Sequence, residues 1–281
     1  MENFLQDIYH RLIRTFYPVR YKKMAILASS RYDMYKEPSE AFFSEIYLHF
    51  IRQDLQEFSS TSPISILDVG CGQGRLSIPL AKEGHRVMGI DISSDALKKG
   101  RQYADEQKVS IQFKQMDLTD ADFNIMNQQF DCLVCTEMIY MVDNPEGLIE
   151  KFQKMVKPNG IIIISFRTRL YYLFHAIMHH SWGDVEMIAK DYSGELNGIT
   201  FNWFTKEKIS EIFSKKGIYP KKFRAIGIFS GIEGDPQSCF SIPSTLTDRE
   251  RAQLMSLEIL MAEEFPESGR YIYCSGINEN K

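Results

Sequence analysis

Ile64-Ser65-Ile66-Leu67-Asp68-Val69-Gly70-Cys71-Gly72-Gln73-Gly74 decides the fold of this 281-residue chain. Residues 64–69 are a short apolar run of the kind that makes a buried parallel strand. The run leads straight into glycines at alternate positions, Gly70, Gly72 and Gly74, and then into a helix-like segment over residues 75–83. A strand that turns into a helix through glycines lets a ligand approach bare backbone amides. Asp68 stands at the entrance of the loop. A carboxylate there repels phosphate, so the loop suits a cationic or zwitterionic ligand better than a pyrophosphate. The G-x-G-x-G spacing also departs from the G-x-G-x-x-G of dinucleotide-binding loops.

Two further acids extend the pattern. His85-Arg86-Val87-Met88-Gly89-Ile90-Asp91 reads as a second short strand ending in a carboxylate. Asp91 lies at about the distance past the glycines at which an α/β nucleotide site places its ribose-binding acid. A third strand over residues 111–116 ends at Asp117, where a side chain could reach an adenine amino group. Three acids at three consecutive strand ends, the first beside a glycine loop, form a constellation.

Leu67-Asp68-Val69-Gly70-Cys71-Gly72-Gln73-Gly74 resembles the first motif of the class I S-adenosylmethionine-dependent methyltransferases. Gly89-Ile90-Asp91-Ile92-Ser93 resembles their ribose motif, and Gln115-Met116-Asp117-Leu118 their adenine motif. Phe130-Asp131-Cys132-Leu133-Val134-Cys135 resembles the fourth strand, and Lys157-Pro158-Asn159-Gly160-Ile161-Ile162-Ile163-Ile164 the turn and fifth strand. The resemblance covers residues 64–166 in unbroken order. It implies an α/β fold: a Rossmann-like, seven-stranded, mostly parallel sheet with an antiparallel last strand, helices on both faces and helical cap insertions. It implies S-adenosyl-L-methionine as cofactor and S-adenosyl-L-homocysteine as product. The cofactor-binding residues it implies are Asp68, Gly70, Cys71, Gly72, Gly74, Asp91, Ile92, Met116, Asp117, Leu118 and Cys135.

Composition bounds the function. A net charge of −4 without a long basic run disfavours nucleic-acid binding, which needs clustered Lys and Arg. No apolar segment reaches the length of a membrane span, and the acidic start Met1-Glu2-Asn3 has no signal-peptide core. Cytoplasmic residence is the expectation, and an odd number of cysteines, five, fits a reducing compartment. Cys132 and Cys135 form a C-x-x-C, but in a strand positions i and i+3 face opposite ways, so they read as buried packing residues. Cys71 reads as a small packing residue within the loop.

The chain divides into an N-terminal helical cap over residues 1–58, a core over 59–165 and 201–281, and an insertion over 166–200. Pro38 suits a helix start for the apolar spacing over 39–48. Tyr32 or Tyr35, just upstream, could cover the methionyl end of the cofactor. Residues 166–200 are too long and aromatic for a plain connection and leave the ligand edge of the sheet, which reads as a helical cap over the substrate. Thr205 is a good N-cap, and Gly217 ends its helix. Residues 221–230 read as strand six and 270–276 as strand seven. Between them, 231–266 form a helical insertion with a capping box at Thr247 and Glu250.

Methyl transfer from a sulfonium needs alignment above all, and a base only if the acceptor must lose a proton. The closest resemblance is to the small-molecule branch that includes quinone-biosynthesis O-methyltransferases, carried by residues 136–145 and 199–217. That branch often has Glu-x-x-Glu-His in the first segment. Here Glu137 stands, but Tyr140 and Met141 replace the others, so metal dependence is not expected. Candidate catalytic residues are Glu137, Tyr140, His175 and His179. The two histidines are at i and i+4, on one helical face. The favoured function is methyl transfer to an O or N of a small, partly apolar acceptor. The alternatives are a protein or RNA methyltransferase, and a cofactor-binding regulatory protein without catalysis. The aromatic run at 171–174 leaves peripheral membrane contact open. No motif encodes the acceptor or the oligomeric state.

Overall fold

The computed structural model describes residues 33–59, 63–117, 129–196 and 198–279. Its first described helix, α1 (Pro38–Phe58), starts on Pro38, whose fixed φ and missing N–H suit the first helical turn. Phe42, Phe43, Ile46, Tyr47, Phe50, Ile51 and Leu55 recur at helical spacing and are all buried. The helix runs a further ten residues past the expected 39–48.

Alternation of strand and helix follows: β1 (Ser65–Val69), α2 (Ser77–Lys82), β2 (Arg86–Asp91), α3 (Ser94–Glu106), β3 (Gln112–Gln115), β4 (Phe130–Cys135), α4 (Pro145–Met155) and β5 (Val156–Arg167). Beyond β5 come α5 (Arg169–Met178), α6 (Trp182–Lys190) and a hairpin of β6 (Ser193–Leu196) and β7 (Ile199–Asn202). The chain ends through α7 (Lys206–Lys215), β8 (Ile218–Ile226), α8 (Asp248–Met261) and β9 (Tyr271–Asn278).

The seven-stranded sheet has the order β3-β2-β1-β4-β5-β9-β8. Strands β1 to β5 pair in parallel, and β9, the last in sequence, lies antiparallel between β5 and β8. The sheet is therefore mostly parallel with an antiparallel last strand, as expected. Alternate residues feed opposite faces. Leu67, Val69, Met88, Ile90, Leu133, Cys135, Ile162 and Ile164 join α4 and α7 in one core, while Ile66, Val87, Cys132, Val134, Ile161 and Ile163 join α1 in the other. The two thiols of the C-x-x-C thus sit on opposite sides of the sheet.

Strand order, not strand direction, reverses between β1 and β4: β2 and β3 build outward on one side, β4 and β5 on the other. This switch point opens a crevice at the carboxyl ends of the strands, where open α/β sheets bind ligands. The insertion after β5 lies at the same edge and holds its own small core of Tyr172, Ala176, Ile188 and Trp203. It contains a hairpin as well as the expected helices.

Candidate functional site

Three backbone reversals shape the loop after β1. Gly70, Gly72 and Gly74 have φ of +72°, +53° and +83°, a region where a side chain is strained. A Cβ on Gly70 would also lie 3.1 Å from the sulfur of Met138, and one on Gly72 would point toward the sulfur of Met34 at 3.6 Å. The N–H groups of Gly70 and Cys71 both donate to the carbonyl of Ile90, at 2.8 and 3.0 Å, which ties the loop to β2. The Cys71 side chain faces inward, where a Cβ on Gly89 would meet its sulfur at 2.8 Å. Burial pushes its thiol well above the ordinary range, so it packs and does not react.

The acids stand where the strands end. Asp68 is 2% exposed and accepts from the Ser77 hydroxyl at 2.5 Å. Burial pushes its carboxyl up to about 6, against the pull of Ser77 and Arg75. Asp91 accepts from two backbone N–H groups, Gly72 on one oxygen and Ser93 on the other, each at 2.8 Å. Its carboxylate thus fixes both the glycine loop and the start of α3. Burial raises its pKa, and the two N–H donors oppose that rise. Ile92 follows directly; its carbonyl accepts from the Gln115 side chain at 3.0 Å. The N–H of Met116 donates to the Asp91 carbonyl at 2.9 Å, which sets Asp117 next to β2. Cys135, at the end of β4, is fully buried in the core. Leu118 and Tyr32 lie outside the described residues.

The segment before α1 closes over this loop. The Tyr35 hydroxyl donates to the Gly74 carbonyl at 2.7 Å, and the Met34 N–H donates to the Gln73 side chain at 3.2 Å. The Tyr103 hydroxyl of α3 donates to Asp33, and the Tyr35 and Tyr103 rings lie 4.4 Å apart.

Across the crevice lies a charged and aromatic wall. Glu137, two residues past β4, has a φ of +58°, and its N–H donates to the Ser165 hydroxyl at 2.7 Å. A non-glycine residue held in this region marks a functional site in many folds. The Arg75 guanidinium bridges Glu137 and Glu40, at 2.9 Å each. Burial raises the Glu137 carboxyl, but Arg75, Arg270 and Arg167 together draw it below its usual range. It is a committed anion and a poor proton acceptor.

Arg167 ends β5 inside a ring of tyrosines. The Tyr271, Tyr171 and Tyr140 ring centres lie 3.9, 4.0 and 5.0 Å from its guanidinium carbon. Tyr171 donates its hydroxyl to Asp235 at 2.6 Å, and Asp235 also pairs with Arg270 at 2.5 Å. His175 stacks on Tyr171 with ring centres 6.3 Å apart, and His179 lies one turn on, 4.5 Å from His175. Burial, then the neighbouring His179, lowers the His175 pKa, so its ring is neutral at pH 7. His179 is exposed. Glu137, Tyr140 and His175 therefore gather around Arg167, while His179 faces outward. Among the described residues no three His, Cys, Asp or Glu side chains converge as a metal site. No helix among them is long and apolar enough to cross a membrane.

The sequence reading missed Arg75, Arg167, Arg270 and Glu40. Arg167 carried a signal: a charged residue closing an otherwise apolar strand, Ile161 to Phe166, at the ligand edge. Arg75 and Glu40 carried none, because their pairing spans 35 residues and two elements.

The site fits S-adenosylmethionine on its own features. Positive-φ glycines leave backbone open to a ligand, the buried Asp68 and half-buried Asp91 give the loop a negative floor, and Tyr35 roofs it. Comparison with known proteins agrees. Residues 60–217 match the model of a family described as a methyltransferase domain. The chain belongs to that family. Among curated proteins, it is 34% identical over 161 residues to the ubiquinone biosynthesis O-methyltransferase of Rickettsia conorii, a match covering 56% of this chain and 54% of that protein. It is 28% identical over 181 residues to the enzyme of that name from Rickettsia canadensis, covering 63% and 72%. The chain thus spans about half the length of the first of these relatives. Among solved structures, the magnesium protoporphyrin IX methyltransferase of Synechocystis with bound S-adenosylhomocysteine superposes with a TM-score of 0.55 at 14% identity. That match covers 99% of this chain and 100% of the other. An S-adenosylmethionine-dependent methyltransferase from Clostridium acetobutylicum gives 0.55 at 13% identity, covering 99% of each chain. At these identities the likeness shows the fold.

Proposed function

We propose that this member of the methyltransferase family transfers a methyl group from S-adenosylmethionine to an oxygen or nitrogen of a small, partly aromatic molecule. The observation that carries the reading is the glycine loop locked by Asp91, with buried Asp68 behind it. Gly70, Gly72, Asp91, Ile92, Met116 and Asp117 would hold the cofactor, with Asp68 shaping the loop. Bound there, the cofactor supplies a methyl group made electrophilic by its sulfonium.

The chain's own residues then have three tasks. Asp68 and Asp91 set a negative potential in the crevice, which favours a cationic ligand. Tyr35 and the segment 33–37 exclude water from the loop. Tyr140, Tyr171, Tyr271 and Arg167 orient the acceptor, with residues 166–200 as its cap. His175, neutral and next to this wall, is the candidate to take a proton from the acceptor. Glu137 serves by holding Arg75 in place.

Names of the relatives favour an oxygen acceptor. The enclosed aromatic wall favours a small molecule over protein or RNA. A direct test incubates the protein with S-adenosylmethionine and with fractions of a cell extract. Formation of S-adenosylhomocysteine should require the small-molecule fraction. Turnover that requires the protein or RNA fraction contradicts the proposal.

A further inference from the structure

Arg167 differs from the other buried arginines among the described residues. Arg75 is paired with Glu40 and Glu137, Arg224 with Asp54 and Glu263, and Arg270 with Asp235. Arg167 makes no ion pair with a described residue. It is 7% exposed, and neither its Nε nor its Nη1 has a hydrogen-bond partner among them. The neighbours that act most strongly on its charge are Tyr271, Tyr171, Tyr140 and Tyr172. Burial raises the pKa of Tyr271, Tyr171 and Tyr172, so those three stay neutral. Tyrosine rings attract a guanidinium through their faces, but they do not take up the N–H groups at its edge. Buried N–H groups are almost always paired, and an orphaned charged donor calls for an acceptor that a ligand brings.

Position and chemistry say what that acceptor is. Arg167 closes β5 at the carboxyl edge of the sheet, three residues past Ile164, which pairs with Cys135 of β4. It lies beside Tyr140, three residues past Glu137. Glu137 does not serve these donors, because its carboxylate is held by Arg75. A planar fork of donors matches a carboxylate better than any neutral oxygen. The surrounding rings, Tyr140, Tyr171, Tyr271 and, against Tyr140, Phe201, favour a flat aromatic body.

We infer that the methyl acceptor is an aromatic acid whose carboxylate is anchored by Arg167. This rests on the methyltransferase reading and deepens it. Arg167 here sets specificity; the atom that receives the methyl group lies elsewhere on the acceptor.

The test uses the full chain saturated with S-adenosylhomocysteine. Calorimetry compares benzoate, phenylacetate and salicylate, each against its own carboxamide. At least one acid should bind about tenfold or more tighter than its amide, and Arg167→Gln should remove that preference while keeping its affinity for S-adenosylhomocysteine. Equal binding of acids and amides, no binding of any acid, or a preference that survives in Arg167→Gln overturns the inference. Should the variant fail to fold, the acid-to-amide comparison on the wild-type protein still decides. A wild-type protein that does not bind S-adenosylhomocysteine overturns the methyltransferase reading itself, which keeps the two failures apart.

Discussion

Replacing Asp68 by asparagine should change how the stability of the ligand-free protein depends on pH. Burial lifts the Asp68 carboxyl from 3.8 to about 6, outweighing the Ser77 hydroxyl and Arg75. The folded value lies above the unfolded one. The stability this group contributes is therefore fully present below pH 3.8 and is lost as the pH rises through about 6. The gap, at about 1.4 kcal/mol per pH unit, comes to about 3 kcal/mol. The asparagine of Asp68→Asn cannot ionise and escapes that loss. Its amide oxygen can still accept from Ser77, and any misfit of its NH2 is the same at every pH. The raised Asp91 is common to both proteins. Variant minus wild type, the pH-dependent part of the unfolding free energy should grow from about 1.6 kcal/mol at pH 5 to about 3 kcal/mol at pH 8. For a chain of this size the difference in Tm should widen by roughly 3–6 °C over that range. Thermal unfolding followed by circular dichroism at four pH values measures it. A difference that does not change with pH, or a wild type that gains on the variant as pH rises, refutes the reasoning.

Gly72→Ala places a side chain at a φ of +53°, pointing toward Met34. It should cost about 1–2 kcal/mol of stability and weaken S-adenosylhomocysteine about tenfold in calorimetry. Methyl transfer to the natural acceptor should survive EDTA; a loss restored by a divalent ion would contradict this and make His175 and His179, one helical turn apart, candidate ligands. Replacing residues 169–196 by a glycine-serine linker should abolish that transfer but change S-adenosylhomocysteine affinity by less than about tenfold. The reason is that Tyr172, Ala176, Ile188 and Trp203 form a core separate from those of the sheet.

Local physics made much of this fold readable. Strands β1, β2, β4 and β5 announce themselves by apolar runs, and the glycine loop by residue type; β3, Gln112–Gln115, buries only Phe113. The N-cap at Thr205 and the capping box at Thr247 depend on groups only three residues apart. Elements set by distant partners were harder. Strand β8 begins at Ile218, before the expected residue 221, because its pairing with β9 continues through a bulge near Pro220. It stops at Ile226, where Gly227 turns with a φ of +71°. The hairpin of β6 and β7 has four residues per strand, too few for a clear period, and one of them is Gly194. It is held from outside: Asn202 donates to the Val142 carbonyl at 2.8 Å, and the Trp203 indole donates to the Asp191 carbonyl at 2.6 Å. In the site, the acids Asp68, Asp91 and Asp117 were legible because each lies at a strand end or within two residues of one. The Arg75 bridge and the tyrosine ring around Arg167 join residues brought together only by the sheet.

Calorimetric titration of the protein with S-adenosylhomocysteine tests the central claim most directly. The wild type should bind it and should not bind NAD. Asp91→Ala removes the acceptor of the Gly72 and Ser93 N–H groups and should weaken binding by about 1–3 kcal/mol. A wild-type protein that binds NAD and not S-adenosylhomocysteine would contradict the account.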